Sequence, residues 1–222
     1  WSSGQGTALA PTMHSPLPWF SVAWDGDKFV AGGDGGPGGV VYSSDGITWT
    51  AATQAPKISI NAIVWGGDKF VAAGDDGIIY HSSDGTSNWT SANVFTTAYG
   101  VTWNGAKFVA VGQGSGTGAT IAHSSDGITW TSVTGSYSIL NLGQGVTWNG
   151  NKFVAVGWGT NTIAYSIDGE NWTGAGDPFG GNSQIGSRGI CGNPKVGPVD
   201  IPSKIMIDAG GALEFDYGEY YN

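Results

Sequence analysis

The chain is poor in cysteine and in positive charge, and both shortages narrow what it can be. Cys191 is its one cysteine, so no internal disulfide can form and the redox compartment stays open. Eight basic residues face seventeen acidic ones, and Arg188 is the single arginine. The formal net charge is −9, with a pI near 4.4. A surface that tracks phosphates needs clustered lysine and arginine, so nucleic acid is not an expected partner. No apolar run reaches membrane-spanning length, and no signal-peptide pattern stands at the start, so no membrane insertion is expected. The chain opens on Trp1 rather than methionine, and so reads as a processed product or a fragment of something longer.

Glycine is abundant, at 40 of 222 residues, beside a hydrophobic share of 40%. There is no Gly-X-Y period, and this mixture points to short apolar strands joined by many tight turns. Self-similarity explains the glycine. The phrase SSDGITWT stands at 43–50 and again at 124–131, with the variants SSDGTSNWT from Ser82 and SIDGENWT from Ser166. The tryptophans that close these phrases, Trp49, Trp89, Trp130 and Trp172, are 40, 41 and 42 residues apart. Upstream of each phrase runs a second conserved half, such as VTWNGAKFVAVG from Val101.

Each unit reads as four short strands. Strand A ends at Trp24, Trp65, Trp103 or Trp148, and an Asn-Gly type turn follows, the strongest hairpin signal in a sequence. Strand B is the alternating KFVAVG-like stretch, strand C runs into Ser-x-Asp-Gly, and strand D opens on the tryptophan. Repeated four-stranded units of this length predict an all-β fold, a β-propeller, as one domain over 1–222. The repeat units fall at approximately 1–49, 50–89, 90–130 and 131–172, with a degenerate unit at 173–222. Five blades are expected, the N-terminal Trp-Ser-Ser strand pairing with the tail to close the ring. The alternative is part of a six- or seven-bladed propeller.

The phrase S-x-D-G-x-T-W resembles the Asp-box, or bacterial neuraminidase repeat, whose usual form is S-x-D-x-G-x-T-W. The spacer before glycine is missing here, and the resemblance covers about three quarters of the chain. It implies a sialidase-type propeller scaffold, which serves sialidases, lectins and adhesins alike, and so leaves function open. On this reading Asp45, Asp84, Asp126 and Asp168 fasten their turns, Gly supplies the positive φ, and each tryptophan wedges between neighbouring blades. Sialidase chemistry requires three arginines, a nucleophilic tyrosine–glutamate pair and an acid. Arg188 alone cannot make that clamp.

The A–B and C–D turns fall at one end of every blade and repeat, so that end is scaffold. The B–C and D–A connections fall at the other end and vary, which is where binding is expected. Nine of eleven tryptophans sit in the repeated frame; Trp19, in a D–A loop, and Trp158, in a B–C loop, do not. Either can stack on a sugar ring or anchor a protein partner, or else cap its own loop. Asp34, Tyr137 and Asn161 lie in variable loops and join them as candidate ligand contacts. Four residues before each strand-A tryptophan stand Phe20, Asn61, Tyr99 and Gln144, with Arg188 at the aligned place in the fifth unit. This varied ring faces the central channel and either plugs it or binds there, with Tyr99, Gln144 and Arg188 as candidate contacts.

Hydrolytic chemistry finds little support. His81 and His123 occupy one frame position that is Tyr42 and Tyr165 elsewhere, so they are not a metal pair. Asp34, Asp75 and Asp76 lack a calcium-loop spacing and sit in loops of different blades, and no nucleophile triad can be assembled. No catalysis, no metal and no cofactor are expected. The expected role is a recognition module for a glycan or a surface partner, set extracellularly, on a cell surface or on a virion. A structural part of a virion, phage or surface particle is the alternative, and a glycan-cleaving enzyme the weaker one.

Overall fold

The computed structural model describes residues 18–35, 38–116 and 118–178, together with the backbone of two later strands. Four antiparallel sheets of four strands follow one another along the chain. The first is β1 (Trp19–Trp24), β2 (Phe29–Gly33), β3 (Val40–Ser43) and β4 (Thr50–Ala51). The second is β5 (Ile60–Trp65), β6 (Phe70–Gly74), β7 (Ile78–Ser82) and β8 (Thr90–Asn93). The third is β9 (Thr97–Trp103), β10 (Phe108–Gln113), β11 (Ile121–Ser124) and β12 (Thr131–Ser132). A four-residue helix, α1 (Ser136–Ile139), leads to the fourth: β13 (Leu142–Trp148), β14 (Phe153–Trp158), β15 (Ile163–Ser166) and β16 (Thr173–Gly174). Farther on, β17 (Lys204–Ile207) pairs with β18 (Leu213–Asp216). The fourth strand of each blade starts one residue after its tryptophan rather than on it.

The A–B hairpin of every blade closes on an aromatic pair. Phe29, Phe70, Phe108 and Phe153 lie opposite Trp24, Trp65, Trp103 and Trp148, with ring centroids 4.3, 4.7, 4.1 and 4.6 Å apart. Tilted pairs at this separation add about 0.5–1.5 kcal/mol beyond their area. In the turn itself Asn104 Oδ1 accepts from the amides of Ala106 and Lys107 at 2.9 and 2.7 Å, and Asp25 and Asn149 do the same in their blades. Blade two has Gly66 there instead. A Cβ on Gly66 would collide with the ring of Phe108 from the next blade, so close approach excludes a capping side chain.

The core lies between blades rather than within them. One cluster joins Val30 and Val40 to Ile60, Ile63, Phe70 and Ala72 across blades one and two. A second joins Val71, Ala73 and Ile79 to Ala98, Val101, Phe108 and Ala110. A third joins Val109, Val111 and Ile121 to Val146, Phe153, Ala155 and Ala164. Alternation explains the division, because successive side chains of each B strand point to opposite faces and so to opposite neighbours. Trp89, Trp130 and Trp172 each pack on the cluster shared with the preceding blade.

The A strands are the inner edges. β1, β5, β9 and β13 stand beside one another in that order. Ser21 Oγ accepts from the Ile63 amide at 3.0 Å, and Asn61 Nδ2 donates to the Ala98 carbonyl at 2.8 Å, stitching successive inner strands. Among the described residues blade one has no packed neighbour on its outer side. Ile63, Val101 and Val146 are 6–8% exposed against the preceding blade, whereas Val22 at the same place in blade one is 58% exposed. The expected pairing of Trp1–Gly4 with the tail, the interior of the degenerate unit 173–222 and Arg188 lie outside the described residues.

Candidate functional site

The regular end is built from one repeated device. Ser124 Oγ donates to Asp126 Oδ1 at 2.8 Å and accepts from the Gly127 amide at 2.8 Å, while Asp126 Oδ1 accepts from the amides of Ile128 and Thr129 at 2.8 and 2.7 Å. Gly127 turns the chain at φ 70°, a conformation only glycine adopts freely. The same bonds recur around Asp45, Asp84 and Asp168. Amide donors favour the ionised carboxylate. Donation from the amides of Thr48 and Ile47 and from Ser43 brings Asp45 down to about 2, and the Thr129 amide, against some desolvation, leads those that bring Asp126 to the same place. Asp84 falls lower still, its burial outweighed by the Ser87 and Thr86 donors; Asp168 does so through Asn171. Each of these carboxylates has its Oδ1 committed to its own turn.

The irregular end is organised by a second repeated device. In every A strand one residue has no partner on the B strand. Trp19 pairs with Gly33 and Ser21 with Gly32, leaving Phe20 between them. Ile60 and Ala62 leave out Asn61, Ala98 and Gly100 leave out Tyr99, and Gly143 and Gly145 leave out Gln144. A two-against-one bulge bends the strand and re-aims the extra side chain. All four bulged residues line a cavity of about 1190 Å³ that runs along the inner strands. Small residues follow each bulge, Ser21, Ala62, Gly100 and Gly145, and keep the wall thin.

The four bulged side chains are in different states. Asn61 is committed to the Ala98 carbonyl. Phe20 is 49% exposed, beside Trp19 at 42%. Tyr99 is half-buried, and its hydroxyl has no hydrogen-bond partner among the described residues. Gln144 Oε1 is buried without a donor, a state that costs about 1–3 kcal/mol when left unpaired. Asp75 also lines the cavity.

Two sequence assignments need correcting. Trp19 is not in a loop: it begins β1 and packs over Gly33, at a place where the other blades have Ile60, Ala98 and Gly143. Trp158 is not in a loop either: it ends β14 opposite Leu142. Its place is held by Asp34, Asp75 and Gln113 in the other blades, so both tryptophans are substitutions within the frame. Strands one residue longer than the pattern suggests account for the difference. Trp158 Nε1 is buried without a partner, as are Trp89 Nε1 and Trp130 Nε1 at the regular end.

The remaining candidates are held by local contacts. Asp34 Oδ1 accepts from Ser59 Oγ at 3.3 Å. Tyr137 sits in α1, and its carbonyl accepts from Asn141 Nδ2 at 3.1 Å. Asn161 Nδ2 donates to the Ile139 carbonyl at 2.9 Å, and its Oδ1 accepts from the Gly176 amide at 3.0 Å. Both ends of that amide are engaged, so Asn161 ties the B–C loop to the D–A segment instead of standing free. Among the described residues no three of His, Cys, Asp and Glu gather as metal ligands, and no helix is long and apolar enough to cross a membrane.

No protein-family model and no curated protein matches the sequence. Solved structures do match. The GH74 enzyme of Niastella koreensis is 20% identical over 73% of this chain and 25% of that one, with a TM-score of 0.51. YCF48 bound to D1 peptide is 22% identical over 72% of this chain and 54% of that one, with a TM-score of 0.51. PorZ, a bacterial surface component of the type-IX secretion system of Porphyromonas gingivalis, is 14% identical over 78% of this chain and 23% of that one, at 0.52. The chain therefore spans between about a quarter and about half the length of these proteins. At such identities the likeness carries the fold and nothing finer, and the fold it carries is the β-propeller.

Proposed function

We propose that the chain is a non-catalytic recognition module that takes a glycan or a surface partner at the irregular mouth of its channel, outside the cell or on a cell or particle surface. The observation that carries this reading is the recurring bulge, which keeps one backbone shape in four blades while varying the side chain it presents. A device that only plugged a hole would satisfy its polar groups, yet Gln144 Oε1 and the Tyr99 hydroxyl are left without protein partners among the described residues. YCF48, a propeller of similar fold, was solved with a bound peptide, which lends weight to a protein partner. Asp34 and Asp75 stand in different blades and Asp34 bonds Ser59, which supports binding over a facing pair of catalytic carboxylates.

The test is a combined glycan and peptide array probed with the whole chain and with Tyr99→Ala and Gln144→Ala. Hits that either substitution abolishes support the proposal. Hits indifferent to both, or no hit at all, overturn it. A second reading, a rigid spacer or cap in a larger particle, draws on Ile47, Ile128 and Ile167, which stand exposed at the regular end. Self-association or capture of a particle protein, lost in Ile47→Ser with Ile167→Ser, would favour it.

A further inference from the structure

We infer that the channel selects a positively charged peptide segment, taking a lysine or arginine side chain between Asp75, Gln144 and the aromatic residues of the mouth. This rests on the recognition reading above and sharpens it to a ligand class. Among the described residues that line the cavity, Asp75 is the one that carries charge, and lysine, arginine and histidine do not appear. The Asp75 carboxylate makes no hydrogen bond or ion pair among the described residues. No lysine among the described residues forms an ion pair with it, and three of them are committed elsewhere. Lys28, Lys69 and Lys107 sit at the regular end and are paired there with Asp25, Asp68 and Glu170.

Among the described residues that line the cavity, one side chain leaves a buried polar atom unpaired, and that atom is an acceptor. Gln144 Oε1 is buried and lacks a donor, while Asn61 Nδ2 is already given to Ala98. An ammonium or guanidinium brings donors, which suits the buried Gln144 oxygen and the Asp75 carboxylate. Trp19, Phe20 and Tyr99 add ring faces on which a cation gains energy. The chain already uses that contact elsewhere, with Lys152 Nζ 5.1 Å from the centre of the Tyr165 ring. The net charge of −9 draws cations in and turns acidic glycans and phosphates away.

Isothermal titration of the whole chain at low salt, with tri-lysine, tri-glutamate and maltotriose as probes, tests this. Tri-lysine is expected to bind, and tri-glutamate and maltotriose to bind at least tenfold more weakly. Asp75→Asn and Gln144→Leu are each expected to weaken tri-lysine by about three- to tenfold. Asp27→Asn, the same charge change on an exposed turn at the other end, is expected to stay within twofold. A weakening by Asp27→Asn equal to that by Asp75→Asn would assign the effect to the overall field and overturn the site. Preference for maltotriose or tri-glutamate, or no tri-lysine binding, overturns it as well. A tenfold gain in Arg188→Ala would show the chain's own guanidinium occupying the position, and would also refute the inference. Array hits that depend on Tyr99 and Gln144 but show no lysine or arginine preference would sink this inference alone and leave the recognition reading standing.

Discussion

The two ends of the blades use the same chain repeat for opposite purposes. At the regular end the Ser-x-Asp-Gly turns share one set of bonds and the residues that make it, and Asp126 Oδ1 accepts from three donors within its own turn. At the irregular end the backbone is as uniform, a bulge in every described inner strand of the four blades, but the side chain it presents differs in each: Phe20, Asn61, Tyr99 and Gln144. Uniform residues on a uniform backbone mark a part selected for stability. Different residues on a uniform backbone mark a part whose shape is fixed so that its surface is free to vary.

This contrast can be broken by substitution, and the largest effects belong to the regular end and the joints. Phe108 is fully buried between blades two and three and stacks on Trp103, so Phe108→Ala should cost about 3–5 kcal/mol in chemical denaturation. Gly66→Ala, which drives a methyl into the same ring, should cost about 1–3 kcal/mol. Ser124→Ala, which strands the Gly127 amide, should cost about 1–3 kcal/mol. Tyr99→Ala at the other end should change stability by well under 1 kcal/mol while abolishing array binding. A Tyr99→Ala loss as large as that of Ser124→Ala would erase the distinction between the ends.

Acid sharpens the comparison further. Asp45 and Asp126 titrate near 2 when folded, below the unfolded value of about 3.9, and Asp84 and Asp168 lie lower still. Their contribution is complete above about pH 4 and is lost as pH falls through the folded values. Thermal unfolding should therefore be flat on this account from pH 6 to 4 and drop below it, and Asp126→Asn should shallow that drop. An acid limb unchanged in Asp126→Asn would remove the turn carboxylates as its cause.

The regular end was legible in the sequence because its chemistry is local. A serine, an aspartate and a glycine within four residues carry all the atoms of the turn, so the pattern and the structure contain the same information. The inter-blade core was legible through alternation in strand B. The bulges were only half legible. A varied residue followed by a small one marks Tyr99-Gly100 and Gln144-Gly145, yet the two-against-one register depends on how the partner strand pairs, which alternation does not state. Trp19 and Trp158 stand at strand ends where the frame residue is substituted, and a pattern of repeating residues alone reads such ends as loop. Asn161, expected as a ligand contact, is tied instead to Ile139 and Gly176, which lie 22 and 15 residues from it in sequence, a pairing its own loop does not state.

Hydrogen–deuterium exchange of the whole chain with and without a ligand found on the array places the contact directly. Protection confined to the inner-strand segments around Phe20, Asn61, Tyr99 and Gln144 is what a fixed scaffold with a variable mouth requires. Protection at the turns of Asp45, Asp84, Asp126 and Asp168, with the bulges unchanged, would contradict it.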